Sequence, residues 1–189
     1  MGVAVQPDHR ILPGNHACAD LVSLFEQCFR AEFNTRLVAG GREPEYLPAN
    51  ANAKEACIVF TRDYFASALH EIAHWCLAGP ERRQQLDYGY WYAPDGRNAQ
   101  QQEEFERVEV KPQALEWLFA EAAGFGFRVS VDNLNLACEP SAAFKNAIAA
   151  QAQQYVVQGL PRRASVFVNA LLDFYDTRLV ARQFDAARL

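Results

Sequence analysis

The chain has 189 residues and a formal net charge of −5, the size of one domain that can bury a full core. Hydrophobic residues make up 50% and charged residues 22%, an ordinary globular composition, and the acidic balance without a clustered basic stripe excludes a general nucleic-acid surface. No apolar run approaches the ~18 residues of a membrane span, and the first residues lack a charged-then-apolar leader. The five cysteines are odd in number and without C-x-x-C spacing, which suits a reducing cytoplasm rather than a disulfide framework.

Residues 1–17 carry two prolines and two glycines and read as a flexible arm; residues 18–189 read as a single domain. From Cys18 to Phe33, Leu21, Leu24, Phe25, Cys28 and Phe29 follow helical spacing, and Asn34 and Thr35 end the stripe. Residues 39–56 are rich in turn formers, with Tyr46-Leu47 as a short strand, and Cys57-Ile58-Val59-Phe60 reads as a buried strand. Thr61 or Asp63 supplies an N-cap for the next helix, which Gly79-Pro80 closes. A helical turn over 81–86 precedes the aromatic cluster Tyr88-Gly-Tyr-Trp-Tyr92, and Pro94-Asp95-Gly96 is a turn.

A long helical pattern then runs from Ala99 to Ala123 through Phe105, Val108, Leu115 and Phe119, kinked or split at Pro112. Residues 127–131 alternate weakly as a strand, and helices follow over 140–157 and 164–175. The sum is an α+β domain dominated by helix, with a few short strands.

The helix after the buried strand carries His70-Glu71-Ile72-Ala73-His74, an H-E-x-x-H motif. Positions four apart share one helix face, so both imidazoles can bind one divalent cation at about 2.0–2.1 Å per bond. Glu71 projects about 100° round the helix, within reach of a metal-bound water. A tight open site needs a third protein ligand, and the remaining histidines, His9 and His16, lie in the arm. The run Glu103-Glu104-Phe105-Glu106-Arg107-Val108-Glu109 offers carboxylates instead. Glu109 borders the apolar stripe and is the first candidate, Glu106 the second, and Asp132 the fallback. Cys76 lies off the histidine face and reads as core, and Arg82-Arg83 and Arg162-Arg163 read as solvated helix ends. Taken alone, this motif with a downstream helical glutamate is that of a zinc-dependent peptidase, with Glu71 activating water; a metal-stabilised binding module is disfavoured by the open site.

Wider segments carry a more specific resemblance: Phe33-Asn-Thr-Arg-Leu37, Glu45-Tyr-Leu-Pro48, Phe65-Ala-Ser-Ala-Leu-His-Glu-Ile-Ala-His-Trp-Cys76, Asp87-Tyr-Gly-Tyr-Trp-Tyr92, Pro94-Asp-Gly-Arg97, Phe105-Glu-Arg-Val-Glu-Val-Lys-Pro-Gln-Ala-Leu-Glu-Trp117 and Asp132-Asn133. Over about residues 18–175 the chain resembles the bacterial elongation factor P hydroxylase family. The resemblance implies hydroxylation of one lysine of elongation factor P that already bears a β-lysyl group. It also implies a zinc-metalloprotease-like metal helix and a two-histidine, one-carboxylate site, here His70, His74 and a carboxylate of the 103–109 run. Such a site suits iron(II) and dioxygen as co-substrate. Glu71 then serves as an outer partner of the ion, and an acidic pocket is expected for the substrate amines, with Glu103, Glu104, Glu106, Asp87 and Asp132 as candidates. Tyr90 and Tyr92 are expected to wall the long side chain or to meet an ammonium, the alternative being plain core packing under the metal helix. No arginine stands in a recognisable keto-acid motif, so 2-oxoglutarate use is left open.

Overall fold

The computed structural model describes residues 16–89, 97–131, 139–179 and 184–189. Helix α1 (Cys18–Phe33) buries Leu21, Leu24, Phe25 and Phe29 and stops at Asn34, whose left-handed backbone (φ 46°) is one that asparagine tolerates well. Asn34 then ties two segments together, its carbonyl accepting from the Ala56 amide and its side chain donating to the Lys54 carbonyl. Strand β1 (Thr35–Gly41) follows at once. This strand is not among the expected elements, and it reaches into the turn-rich stretch that begins at residue 39; Thr35 and Leu37 alternate into the core.

Strand β2 (Glu45–Leu47) and strand β3 (Ala56–Thr61) lie where the sequence puts them. The sheet order is β1-β3-β2, with β1 parallel and β2 antiparallel to the central β3. Ala56, Ile58 and Phe60 of β3 point into the core.

Helix α2 (Phe65–Leu77) carries the motif. Its N-cap is Tyr64, with no side-chain cap, rather than Thr61 or Asp63. The Ser67 hydroxyl is instead turned back to the Thr61 amide, so the helix entry is fixed by the strand end it leaves. Trp75, fully buried, packs against Phe25 and Phe29 at ring separations of 5.0 and 4.9 Å and fixes α2 to α1.

The far end of α2 is held by two arginines. Arg163 donates to the carbonyls of Trp75, Cys76 and Ala78, and Arg83 donates to Ala78 as well. Both guanidiniums lie over the Trp75 and Phe33 rings. These residues are therefore not solvated helix ends; they satisfy carbonyls that a helix C-terminus leaves open and complement its partial negative charge. Arg162 does stay at the surface, pairing with Glu32.

Helix α3 (Ala99–Ala123) starts with a reciprocal Asn98–Gln101 cap and ends at Gly124 in the left-handed region. It runs as one continuous helix through Pro112, so of the two expectations, kink or split, the split does not occur. Pro112 and the turn that follows it are buried, and tertiary packing holds the helix where proline removes one amide donor. From Gln113 to Ala120 every residue is buried, which makes α3 the central rod of the molecule. One side of it packs on α2 and joins the core that α1 and the sheet complete; the other packs on α4 (Ala142–Gln158) and the C-terminal Phe184. Helix α5 (Arg162–Tyr175) closes the first of these cores through Phe167 and Leu171.

The segment expected as a strand over 127–131 carries no regular structure and pairs with no strand among the described residues. Its backbone is satisfied otherwise: the buried Gln113 amide donates to the Ser130 carbonyl (2.7 Å) and accepts from the Ser130 amide (3.1 Å), doing for one residue what a strand ladder does. His16, assigned to the arm, is docked, with Nε2 2.8 Å from the Ala123 carbonyl and its ring packed on Phe65 and Phe125.

Because Arg163 is half-buried and serves three carbonyls at once, Arg163→Ala should lower unfolding stability by about 2–3 kcal/mol, and Arg163→Lys should recover less than half of that. Urea unfolding of both variants checks this. A loss below about 0.5 kcal/mol would mean that the clamp is ornamental to the end of α2.

Candidate metal centre

His70 and His74 sit one turn apart on α2 and face α3. Their Nε2 atoms are 3.0 Å apart, with ring centroids separated by 4.7 Å. Glu109 of α3 meets both: one carboxylate oxygen lies 3.5 Å from His70 Nε2 and the other 3.3 Å from His74 Nε2. Among the described residues these three form the group of side chains whose donor atoms all lie within 4.8 Å of one another.

The spacing fits a bound ion. Donor atoms about 2.1 Å from a common cation, at angles of about 90–110°, stand about 3.0–3.4 Å apart. The three observed separations span that range to within a tenth of an ångström. Glu109 is only 2% exposed, yet its Oε2 has no hydrogen-bond partner, an orphaned acceptor directed at the imidazoles.

Two further carboxylates complete the surroundings. Glu116, two turns beyond Glu109 on α3, lies 2.8 Å from His70 Nδ1 and is 7% exposed. Glu71 is 8% exposed and within electrostatic reach of both imidazoles, Glu109 and Asp87. Two neutral imidazoles and three ionised carboxylates would leave three buried negative charges, and a divalent cation reduces that to one.

The protonation equilibria reflect the same imbalance. Burial alone would lower the His70 pKa; the Glu116 hydrogen bond, with the charges of Glu116, Glu109 and Glu71, outweighs it and pushes His70 up to about 10. For Glu109, burial is outweighed by the charge and hydrogen bond of His74, the charge of His70 and the neighbouring Gln113 amide, bringing it down to about 2. Burial pushes Glu71 and Glu116 upward.

A turn below the site brings in Tyr88. Asp87 and Tyr88 both adopt left-handed backbone (φ 45° and 58°), a conformation costing on the order of 1–3 kcal/mol per residue. The turn is held by the Asp87 carboxylate, which accepts from the Tyr46 amide (2.7 Å), and by Tyr88 stacking on Tyr46 at 4.2 Å. Tyr88 is thus buried core under the metal helix, as one reading of the aromatic cluster has it. Tyr90 and Tyr92 lie outside the described residues, as does Asp132.

The other acidic candidates are placed apart from the two histidines. Glu106 accepts a hydrogen bond from Ser141 at the start of α4, Glu104 pairs with Arg107 on the surface, and Glu103 is exposed. Cys76 is buried, and burial pushes its thiol up, in keeping with a core role.

Glu116 and Gln113 are the participants that motif reasoning missed. The signal was there: both are polar residues within the apolar stretch Gln113-Ala-Leu-Glu-Trp-Leu-Phe119, and they follow Glu109 at i+4 and i+7 on the same helix face.

A helix-rich α+β domain whose α2–α3 pair brings two histidines and a carboxylate to one point has a donor set that could hold a divalent cation. Residues 24–184 match the family described as elongation factor P hydroxylase. A curated relative from Haemophilus influenzae, elongation factor P lysine hydroxylase, is 52% identical over 162 residues, covering 86% of this chain and 91% of its own. The chain belongs to the elongation factor P hydroxylase family.

The metal-free protein should lose stability as the pH is raised from 7 to 10. The raised His70 pKa gives a contribution present in full below its unfolded value of about 6.5 and lost as the pH climbs through about 10. Urea midpoints of chelator-treated protein at pH 7, 8, 9 and 10 measure it; a flat profile to pH 10 would contradict the charged-His70 picture.

Proposed function

We propose that this chain is a protein-lysine hydroxylase that acts on the β-lysyl-modified lysine of elongation factor P, using a divalent cation, iron(II), held by His70, His74 and Glu109. The observation that carries the reading is the three-residue donor set at ligand spacing in a chain of this family. Two imidazoles and one carboxylate leave coordination positions open, which suits iron and dioxygen better than a closed structural site. Iron(II), when bound there, supplies the redox chemistry by which an oxygen atom from dioxygen enters a C–H bond.

The chain's own residues do the rest. Glu109, buried and anionic, offsets cation charge. Glu71 lies beside the ligands as an outer hydrogen-bond partner that orders water near the ion, and with Asp87 it gives the surroundings the negative potential that an amine-bearing side chain needs. Tyr90 and Tyr92 are proposed to contact that side chain along its aliphatic stem and at its ammonium end; Glu106, held by Ser141, is not. Among the described residues no helix is long and apolar enough to cross a membrane. The zinc-peptidase reading needs Glu71 as its general base, and the family relationship weighs against it.

His70→Ala and His74→Ala should each lose most of the bound metal while keeping the far-ultraviolet dichroism of the wild type. A domain with this core does not fold around its ion as a zinc finger does. Glu109→Ala should weaken metal binding or activity at least about tenfold more than Glu106→Ala, since Glu109 faces the imidazoles and Glu106 faces Ser141. If Glu106→Ala is the more damaging, the ligand assignment is wrong.

Glu71→Gln separates the two chemistries. In a hydroxylase it should slow the reaction by about 10–100-fold, whereas in a peptidase it should all but stop turnover with metal still bound. Intact-mass analysis of elongation factor P from cells carrying each variant, grown in air and under labelled dioxygen, reads this out. Gain of one oxygen atom bearing the label is expected; cleavage products that form without oxygen would overturn the reading.

A further inference from the structure

We propose that Glu116 is a positioning residue for the metal centre: by accepting a hydrogen bond from His70 Nδ1–H it dictates that Nε2 is the nitrogen offered to the ion, and it fixes the plane of the ring. The inference rests on the metal reading given above, and it assigns a role to a residue outside the three ligands.

The contact is short and direct, 2.8 Å from Glu116 Oε2 to His70 Nδ1. It lies on the side of the ring away from Glu109 and His74, which both approach Nε2. A neutral imidazole carries one N–H, and an acceptor on Nδ1 places that hydrogen there, leaving the Nε2 lone pair free. Carboxylates behind metal-bound histidines act in this way in general.

The neighbours of Glu116 argue against an incidental placement. Leu115, Trp117, Leu118 and Phe119 are all buried hydrophobics, so a carboxylate among them is costly unless it has a dedicated partner. The two histidines are also not equally held. The His70 side chain is 24% exposed and that of His74 13%, so packing restrains His74 more and the Glu116 bond supplies the restraint that His70 lacks. Because Glu109 and Glu116 stand seven residues apart on one rigid helix, ligand and orienting group move as a unit against α2.

The test uses cobalt(II) alone, followed through its visible absorption, on the full chain with Glu116→Gln and Glu116→Ala. Cobalt(II) binding should weaken about tenfold in the glutamine variant, which keeps an acceptor but loses the charge and the fixed tautomer, and about 10–100-fold in the alanine variant. Should the alanine variant fail to fold, the near-isosteric glutamine variant carries the test. Nitrogen-15 spectra of the histidine rings in the zinc-loaded proteins separate positioning from general support: the His70 resonances should shift while those of His74 stay close to wild type. Affinities within about twofold of wild type, or His74 displaced as much as His70, would overturn the assignment. A wild type that takes up no cobalt(II) would overturn the metal reading itself, and with it this one.

Discussion

The packing of α2 against α3 sets two imidazoles opposite a ridge of acids, and most of the architecture serves to hold that helix pair in register. Glu71, Glu109 and Glu116 are all less than a tenth exposed, and no protein gathers three such groups in an apolar interior without compensation. Without an ion His70 compensates by holding a proton, as its upward shift indicates. A divalent cation would replace that proton with a charge shared among the three side chains, so metal uptake and proton release are two sides of one equilibrium.

The rest of the molecule follows from holding these two helices still. Trp75 is the residue after His74, and its packing on Phe25 and Phe29 locks the back of α2. The Arg163 and Arg83 clamp fixes its far end within four residues of His74. On the other side, α3 is buried all round through its second half, so the ridge it presents cannot rotate away. Such rigidity is what a site with preset ligand positions requires.

Much of this was legible in the sequence. The motif, the spacing of its histidines and the position of Glu109 at the border of an apolar stripe were enough to name the three side chains that the fold brings together, because helical periodicity converts directly into a shared face. The five α-helices and strands β2 and β3 likewise follow from periodicity and turn formers. What failed did so because tertiary partners override local signals. The Pro112 break is suppressed by packing, and the 127–131 segment finds its partners in a glutamine side chain instead of a ladder. Arg163 looks like a surface charge until the end of α2 is brought to it, and β1 escaped notice because only Thr35 and Leu37 alternate into the core. Glu116 was passed over because attention to a charged run leads away from a lone acid in an apolar stretch, where burial makes the residue more informative.

The ligand set alone does not choose between oxidation and hydrolysis, since both can be run from two histidines and a glutamate. Family membership makes that choice, and the arrangement of Glu71 is compatible with it as an outer partner. The central claim is that His70, His74 and Glu109 together bind one redox-active ion. Crystallographic anomalous scattering collected on both sides of the iron edge, from protein reconstituted anaerobically with iron(II), tests it most directly. The account predicts a single iron peak bonded to Nε2 of His70, Nε2 of His74 and the Glu109 carboxylate, with Glu116 still on His70 Nδ1. An iron peak elsewhere, or Glu116 in place of Glu109 among the ligands, would contradict it.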